Sequence, residues 1–445
     1  MTLDIRRTES EDQEFAAHRQ RVLDRLAPDE AVLVFGAPEV VRNGDSEYAY
    51  RPQSMVWWLT GWEDPEVAVF LRPGEQPFTM FVQPKDKERE VWTGRRDGPD
   101  GARAKFGADV AHPIGDLATH LPKLLQGVRA LHFEAGVDPE HDALVWNGIA
   151  RAAKQARTTG LSAPETFHLH RMMLDELRMV KSPTELERMR AAAALTGEGH
   201  RLAMARARPG MWEYEIEADL VHLWRRAGST GPGYVPIVAS GPNATVLHYH
   251  TNRSQLADGD LVLLDAGCEV SWYTADVTRT FPVSGRFSPA QRDVYEWVLR
   301  AQLAAIERCR PGGRFGEVHD VTVRVLTEGM IALGLLQGTV EERIADEAYK
   351  RYYMHGTSHW LGLDVHDVGW AGRDGATRAF APGMVLTVEP GLYIDPDDLE
   401  APAHLRGIGV RIEDDVLVTD GAPDVLTDGI PKSVDDVERA CAASV

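Results

Sequence analysis

Acidic and imidazole side chains recur in the C-terminal half of the sequence in apolar or glycine-rich surroundings. They are Asp265 at the end of LVLLD, Asp276 in TADVTRTF, His359 in HGTSHWLGLDVHD, Glu389 in TVEPG and Glu413 in GVRIEDD. Unpaired charge is costly in such surroundings, so these side chains are expected to meet. Carboxylates with a single imidazole form a fairly hard ligand set, which favours manganese, with iron, cobalt or zinc as alternatives, over a thiolate site.

The charge of this set indicates how many cations it would hold. Four carboxylates carry four negative charges, which two divalent cations balance. Without cations the acids would repel one another and shift each other's pKa strongly. Two ions about 3.5–4 Å apart can share a hydroxide, lower its pKa and stabilise the tetrahedral intermediate of amide hydrolysis. The residue types therefore predict a site for two divalent metal ions, with Mn²⁺ favoured, that hydrolyses amide bonds.

Each residue taken alone has a more ordinary explanation. An Asp after a buried strand is usually a cap or a turn residue, and it is a ligand in roughly one case in ten. Glu389 before Pro-Gly would simply end a strand, and His359 would be a hydrogen-bonded core histidine. Glu413 would form a surface ion pair with Arg411, which contributes little. The combination, rather than any single member, favours the metal site.

Two strand-rich blocks, residues 261–283 and 384–419, must position these side chains. A hairpin turning near 268–273 would bring Asp265 and Asp276 side by side on adjacent strands, and Glu389 and Glu413 would likewise project from a second hairpin. Cys268 is expected to be a small buried hydrophobic residue rather than a ligand.

A helix start precedes each block. The strings SPTE (182–185) and SPAQ (288–291) both have Ser at the N-cap, Pro at the first helical position and Glu or Gln at the third. The order of helices, hairpin, helices and hairpin predicts a pseudo-symmetric α/β domain in which two sheets face a shared centre.

The first third of the chain alternates short apolar strands with helices, which indicates a separate α/β domain. We predict helices over 13–26 and about 143–157, and strands over 31–38, 54–62, 66–73, 78–84 and 130–136.

Bulk properties exclude several classes of protein. The 445 residues suit two domains, and 48 Lys and Arg against 68 Asp and Glu give a net charge of −20, which disfavours nucleic acid and membrane surfaces as partners. Three cysteines without CxxC spacing suit a reducing compartment. No apolar run has the length of a signal peptide core or approaches the roughly 20 residues that span a bilayer. We therefore expect a cytoplasmic protein.

Several long strings resemble the pita-bread metallopeptidases, and within them the Xaa-Pro aminopeptidase (aminopeptidase P) family. They are LVLLDAGCEVSWYTADVTRTFPV, MHGTSHWLGLDVHDVG, VLTVEPGLYI and RGIGVRIEDDVLVT, with DSEYAYRPQS and VWTGRRDG in the first domain. The resemblance implies an α/β (α+β) fold. A creatinase/prolidase-type α/β domain over 1–172, serving oligomerisation and site access, would precede a pita-bread catalytic domain over 173–445.

The resemblance also implies roles for the metal ligands. Asp276 and Glu413 would bridge two metal ions, most suitably Mn²⁺, Asp265 would complete the shell of one ion, and His359 and Glu389 that of the other. Glu389 would in addition orient the bridging hydroxide and accept its proton.

Further residues would handle the substrate. His248 in VLHYH and His366 in DVHDV would steady the scissile amide and its carbonyl. Substrate-binding positions would be His355, Arg411, Tyr234, Trp92 and Asp45, of which Asp45 and Trp92 would reach a neighbouring subunit's site in a dimer or tetramer. His250, two residues after His248, is expected to point the other way on a strand and face solvent.

The function implied is hydrolysis of the bond between any N-terminal residue and a penultimate proline. A prolidase, which accepts only X-Pro dipeptides, shares the ligands and remains the alternative. A creatinase-like hydrolase works without metal, and a silent peptide-binding module typically loses ligands, so the intact set of five argues against both.

Overall fold

The computed structural model describes Leu3 and residues 8–443. The chain forms two compact units, one within residues 8–177 and one over residues 178–443 that also includes Leu3. The predicted division after residue 172 stays a prediction. Both units mix helices and strands, so the predicted α/β class is confirmed.

The N-terminal unit is built on one six-stranded sheet of order β6-β5-β4-β1-β7-β8. Strands β1 and β7 are parallel and β1 and β4 antiparallel, and the strands carry a buried apolar cluster against α5 and α6. The elements are α1 (Glu9–Leu23), β1 (Glu30–Phe35), β2 (Val41–Asn43), β3 (Ser46–Glu47), α2 (Ser54–Thr60), β4 (Ala68–Leu71), β5 (Phe78–Val82), α3 (Lys87–Thr93), α4 (Gly98–Phe106), β6 (Val110–Pro113), α5 (Leu117–Leu124), β7 (Ala130–Phe133), α6 (Pro139–Thr159), β8 (Thr166–His168) and α7 (Arg171–Met179).

One predicted strand is wrong. Residues 54–60 of SMVWWLTGW form helix α2, in which every residue is buried. The Gln53 side chain caps its first turn, and Gly61, at φ 68°, ends it in the left-handed conformation. Because the segment is apolar on all sides, its hydrophobic pattern has no period that separates a buried helix from a buried strand.

The C-terminal unit alternates helix pairs with small antiparallel sheets. The elements are α8 (Pro183–Arg206), α9 (Glu213–Ala227), β9 (Gly231–Pro232), β10 (Ile237–Ser240), β11 (Leu261–Asp265), β12 (Cys268–Val270), β13 (Tyr273–Thr274), β14 (Thr278–Pro282), α10 (Pro289–Ile306), α11 (Phe315–Ala332), α12 (Val340–Ala345), β15 (Gly372–Arg373), β16 (Ala376–Thr377), β17 (Val385–Val388), β18 (Gly391–Tyr393), β19 (Gly409–Arg411), β20 (Asp414–Leu417), β21 (Asp424–Val425) and α13 (Val434–Cys441).

The helices α8 and α10 begin where the sequence predicts. The side chains of Ser182 and Ser288 each accept a hydrogen bond from the backbone amide of the third helical residue. In turn, the side chain of that third residue accepts a hydrogen bond from the backbone amide of the serine. Such a cap contributes about 1 kcal/mol to the stability of a helix. The two caps therefore fix where α8 and α10 begin.

Strands β11, β14, β17 and β20 are buried along their whole length. The large core packs residues such as Leu220, Leu264 and Leu326 from three different elements, and a second cluster joins Val318 and Leu386. The polar side chains within these strands, such as Arg279, Thr280 and Thr387, are buried as well. Within the part of the chain that the structure describes, no helix is long and apolar enough to cross a membrane.

Candidate metal centre

The first pair of acids lies where one strand pair ends. Asp265 is the last residue of β11 and stands opposite Thr278, the first residue of β14. Asp276 precedes that strand by two residues, so it lies on the connection and not on the strand itself. The hairpin β12–β13 turns at Ser271 and Trp272, both with positive φ, as the turn predicted near 268–273 requires.

The second pair of acids lies at a matching interruption. Val388 pairs with Asp414 in one sheet, and Gly391 pairs with Arg411 in the next. Glu389 and Glu413 occupy the gap between these two registers, where the strands change sheets. The Glu413 amide donates to the Thr278 carbonyl over 3.0 Å, which ties the second pair to the first.

His359 completes the group through one ring nitrogen. Its Nδ1 lies 3.0 Å from the Trp360 carbonyl oxygen, which can only accept, so Nδ1 carries the proton. The other nitrogen, Nε2, lies 3.3 Å from Asp276 Oδ2 and 3.6 Å from Glu389 Oε1. In the neutral imidazole this nitrogen presents its lone pair to the acids, as a metal-binding histidine does.

Ligand atoms of Asp276, His359 and Glu413 all lie within 4.8 Å of one another. They face a cavity of about 440 Å³ that Asp265 and Glu389 also line. The structure thus brings all five predicted ligands together around one space.

The pKa values reflect this concentration of negative charge. Burial raises the pKa of Glu389 to about 7, although His359 and Arg411 act in the opposite direction. Burial and the neighbouring carboxylates, Asp276 first, raise the pKa of Glu413 well above its usual range. Burial lowers the pKa of His359, but its hydrogen bond and its charge interaction with Asp276 outweigh that effect and bring the value to about 9. The protein alone does not neutralise these acids.

Two predicted substrate-binding residues contact a ligand directly. Tyr234 Oη donates to Asp265 Oδ1 over 2.7 Å, and Arg411 Nη2 donates to Asp265 Oδ2 over 2.6 Å. Arg411 is buried, so the surface pair with Glu413 considered from the sequence does not form. His355 lines the cavity, and its Nε2 accepts from Tyr393 Oη over 2.9 Å.

The histidines expected near the substrate also line the cavity. His248 and His366 both do so, and the His366 ring lies 4.4 Å from that of His359. The prediction for His250 is wrong in part: it is exposed, but it follows a turn rather than lying on a strand, and it lines the cavity as well. Without strand geometry, alternate residues need not point to opposite sides.

Asp45 and Trp92 lie elsewhere. Asp45 is in the β2–β3 turn and Trp92 is in α3, where its side chain is 87% exposed. Both belong to the N-terminal unit, and neither is among the residues that line the cavity. Their predicted part in a neighbouring subunit's site stays a prediction.

Comparison with known proteins decides the family. Residues 187–420 match the model of metallopeptidase family M24, and residues 15–132 match that of the aminopeptidase P N-terminal domain. The chain is 42% identical to the Xaa-Pro aminopeptidase of Escherichia coli strain K12 over 97% of its own length and 98% of the relative's. The chain belongs to metallopeptidase family M24.

Solved structures agree with this placement in family M24. The aminopeptidase PepP of Pseudomonas aeruginosa matches with a TM-score of 0.95 and 44% identity, over 99% of each chain. Zinc-substituted Escherichia coli aminopeptidase P in complex with product matches with a TM-score of 0.93 and 40% identity, again over 99% of each chain. The predicted architecture, an N-terminal α/β domain followed by a pita-bread catalytic domain, is confirmed.

The residues of this M24 chain fit divalent metal ions. Carboxylate oxygens converge with the Nε2 nitrogen of His359, and the pKa values of Glu413 and Asp265 are raised, chiefly by burial. Divalent cations would compensate both the burial of these charges and their mutual repulsion.

Sequence reasoning missed the residues that support the ligands. Both carboxylate oxygens of the buried Asp415 accept from the Asp276 amide, at 3.3 and 3.2 Å, and Thr278 Oγ1 donates to Glu413 Oε2 over 2.7 Å. Tyr393 Oη accepts from Arg411 Nη1 over 3.0 Å. The only available signal was position: Asp415 lies in the same EDD string as Glu413, and Tyr393 lies four residues after Glu389.

Proposed function

We propose that this chain is an Xaa-Pro aminopeptidase, which hydrolyses the bond between an N-terminal residue and a proline in the second position. One observation carries the proposal: five potential metal ligands converge on one cavity in a chain that aminopeptidase P relatives match over nearly its full length. Peptides with a penultimate proline are the substrates.

The metal content follows from the ligands. We infer two divalent ions, with Mn²⁺ favoured, and Asp276 and Glu413 would be shared between them. Asp265 would complete the shell of one ion, and His359 with Glu389 that of the other. When bound, such ions supply an activated water at neutral pH and polarise the scissile carbonyl. A predominantly oxygen donor set with one imidazole suits manganese better than a soft metal.

The chain's own residues move the proton and stabilise charge. The Glu389 carboxylate lines the cavity, 3.6 Å from His359 Nε2, and would accept the proton that water gives up. His248 and His366 lie on the cavity wall, from which an imidazole N–H can donate to the carbonyl oxygen as negative charge develops there. Their rings replace hydrogen bonds that water would otherwise supply.

A penultimate proline makes special demands on the site. The X-Pro amide nitrogen has no hydrogen, so recognition cannot rely on a backbone N–H donor. His355, Tyr393 and Arg411 form a hydrogen-bonded row beside the ligands, linked at 2.9 and 3.0 Å. This row is a rigid wall against which the proline ring and the following carbonyl can rest.

Substrate length separates this proposal from the prolidase alternative. Protein purified without chelator is assayed on Ala-Pro, Ala-Pro-Ala and Ala-Ala-Ala. We expect rapid release of alanine from Ala-Pro-Ala, slow turnover of Ala-Pro and none of Ala-Ala-Ala. Turnover of Ala-Pro alone would identify a prolidase, and turnover of Ala-Ala-Ala would contradict proline specificity.

The assembly and the compartment are part of the proposal. A dimer or tetramer would let Asp45 and Trp92 of one subunit approach the site of another, and the exposure of Trp92 supports such a role. The acidic composition and the few cysteines favour the cytoplasm.

A further inference from the structure

A fully buried charge cluster lies behind the cavity wall. The Asp367 carboxylate accepts from Arg178 Nη2 over 2.5 Å and from Lys181 Nζ over 2.8 Å, and all three side chains are at most 3% exposed. We name Arg178, Lys181 and Asp367 the Asp367 clamp. None of the three lines the cavity, and the proposed chemistry uses none of them.

The Asp367 clamp holds the loop over residues 360–367. The Asp367 amide donates to the Trp360 carbonyl over 2.8 Å, which closes the loop on itself. Arg178 Nη2 also donates to Asp364 Oδ2 over 3.0 Å. The loop wraps so tightly that a Cβ at Gly362 would lie 2.3 Å from Asp367 Oδ2.

His366 and its neighbour Val365 are the loop residues that line the cavity, and His366 is the one with a polar side chain. It directly precedes Asp367, and its ring packs edge-on against that of His359 with 4.4 Å between the ring centroids. Among the described residues, no group forms a hydrogen bond with the His366 imidazole. Its position therefore depends on the loop backbone and on ring packing.

Stability alone does not explain a buried cluster of this kind. Two cations and one acid removed from water cost desolvation energy, and apolar residues of the same volume often stabilise a fold equally well. Charged hydrogen bonds instead fix the orientation of the Asp367 side chain, because each of its carboxylate oxygens has one defined donor. Displacements of about 1 Å at a catalytic group lower rates strongly.

We propose that Arg178, Lys181 and Asp367 are positioning residues that fix His366 for the reaction. The proposal rests on the function proposed above, in which His366 donates to the substrate carbonyl. The clamp acts through the backbone on a ring that contacts substrate, so loosening it should impair turnover more than binding.

A double-mutant cycle tests this coupling. Lys181→Met, His366→Ala and the double variant are assayed on Ala-Pro-Ala, each with its metal content matched to that of the parent. We expect Lys181→Met to lower kcat about tenfold with little change in KM, as loss of supporting contacts typically does. In the His366→Ala background the same change should have no further effect, because the group being positioned is gone.

Controls separate positioning from general damage. Lys181→Arg should restore most of the turnover, and Arg190→Met, which removes the exposed pair with Asp424 in the same unit, should leave it unchanged. If Lys181→Met does not fold, Asp364→Asn loosens the same loop from a partly exposed position. The NMR signals of the His366 ring should shift or broaden in the loosened variants.

Two outcomes would overturn the inference in distinguishable ways. A full additional loss of kcat in the double variant, with an unchanged His366 ring spectrum, would make the clamp purely structural while leaving the proposed function intact. Normal turnover in His366→Ala would remove that histidine from the proposed mechanism, and the clamp's role would fall with it.

Discussion

Glu389 is a partly buried acid that lines the cavity and that we propose both as a metal ligand and as the proton acceptor. Its carboxylate faces His359 and lines the cavity, and burial raises its pKa to about 7. Its carboxylate can accept a proton, and in the deprotonated form it can bind a cation.

Replacing Glu389 tests its role directly. We expect Glu389→Ala to lower kcat by about 10²-fold or more while the far-UV circular dichroism spectrum stays unchanged, because the variant loses a proton acceptor and a proposed metal ligand but no apolar core side chain. The matched control is Glu307→Ala, an exposed acid of the same unit, which should retain full activity. Normal turnover of Glu389→Ala on Ala-Pro-Ala would exclude this carboxylate from the mechanism.

His200 predicts how stability depends on pH. It is completely buried, its Nε2 donates to the Ala266 carbonyl over 2.9 Å, and burial lowers its pKa to about 3. The unfolded chain takes up a proton near pH 6.5 and the folded chain does not. The free energy of unfolding should therefore fall as pH drops from about 6.5 towards 3, by up to about 1.4 kcal/mol per pH unit from this group.

Urea unfolding at several pH values measures that slope. His200→Gln keeps a donor for Ala266 but does not titrate, so its stability should depend less steeply on pH than that of the parent. Both proteins are compared after metal removal, so that ligand protonation contributes equally to each. Parallel slopes would show that His200 is not the group responsible.

At the scale of single residues, the sequence predicts the candidate metal ligands better than the residues that hold those ligands in place. The convergence of four acids and one imidazole was predictable because their types and apolar settings are informative together. Asp415 and Tyr393 were not, because a buried acid that receives a backbone amide and a buried tyrosine that links Arg411 to His355 look ordinary in a sequence. Only the folded structure shows which groups form hydrogen bonds with Asp415 and Tyr393.

Among the elements, the strand ends matter more than the strands. Asp265 lies at the end of the β11–β14 pairing, and Glu389 and Glu413 lie where β17–β20 gives way to β18–β19. If the strands paired regularly through these positions, the backbone amides and carbonyls of these residues would bond to one another. The interruptions turn acids from both sheets towards one space.

Gly267 makes the first interruption possible. A Cβ at this position would lie 1.9 Å from the Ala275 carbonyl oxygen, which is closer than any side chain tolerates. We expect Gly267→Ala to lower the free energy of unfolding by about 1–3 kcal/mol or more. The forced shift should also separate Asp265 from Asp276 and reduce the metal bound per chain.

Chemical denaturation and metal analysis together check this prediction. Gly429→Ala is the matched control, because a Cβ there meets no atom within 4 Å, and it should change stability by at most about 0.5 kcal/mol. If Gly267→Ala bound metal and unfolded like the parent, the close approach would have no consequence for the site.

Local signals explain which elements were predictable. The helix starts at Ser182 and Ser288 depend on a few adjacent residues, so the sequence contains the whole cause. Helix α2 depends instead on being covered from all sides, which is a property of the fold. The paired interruptions could not be predicted, because a change of sheet depends on contacts between distant segments.

At the scale of the whole molecule, the chain combines a sheet-based N-terminal unit with a unit that holds every cavity-lining residue of the metal centre. The conspicuous surface feature of the N-terminal unit is α3, whose Val91 and Trp92 are 81% and 87% exposed. Apolar groups exposed to that extent in neighbouring positions are typical of contact surfaces.

Replacing Trp92 tests whether subunits share their sites. We expect Trp92→Ala to lower kcat/KM on Ala-Pro-Ala and to weaken the assembly, measured by light scattering coupled to size-exclusion chromatography. Trp146→Ala, which removes another exposed tryptophan of the same unit, should affect neither. An unchanged rate and an unchanged mass for Trp92→Ala would reduce this residue to a local packing role.

The hydrogen bond from the Glu413 amide to the Thr278 carbonyl joins segments that are far apart in the sequence, and this separation has a consequence for biosynthesis. A third of the chain separates Asp265 from Glu413, so a polypeptide still emerging from the ribosome carries two acids long before the others arrive. The set of candidate ligands is therefore complete only when translation is almost finished. A chain that stops before Glu413 would lack at least one of the five candidate ligands.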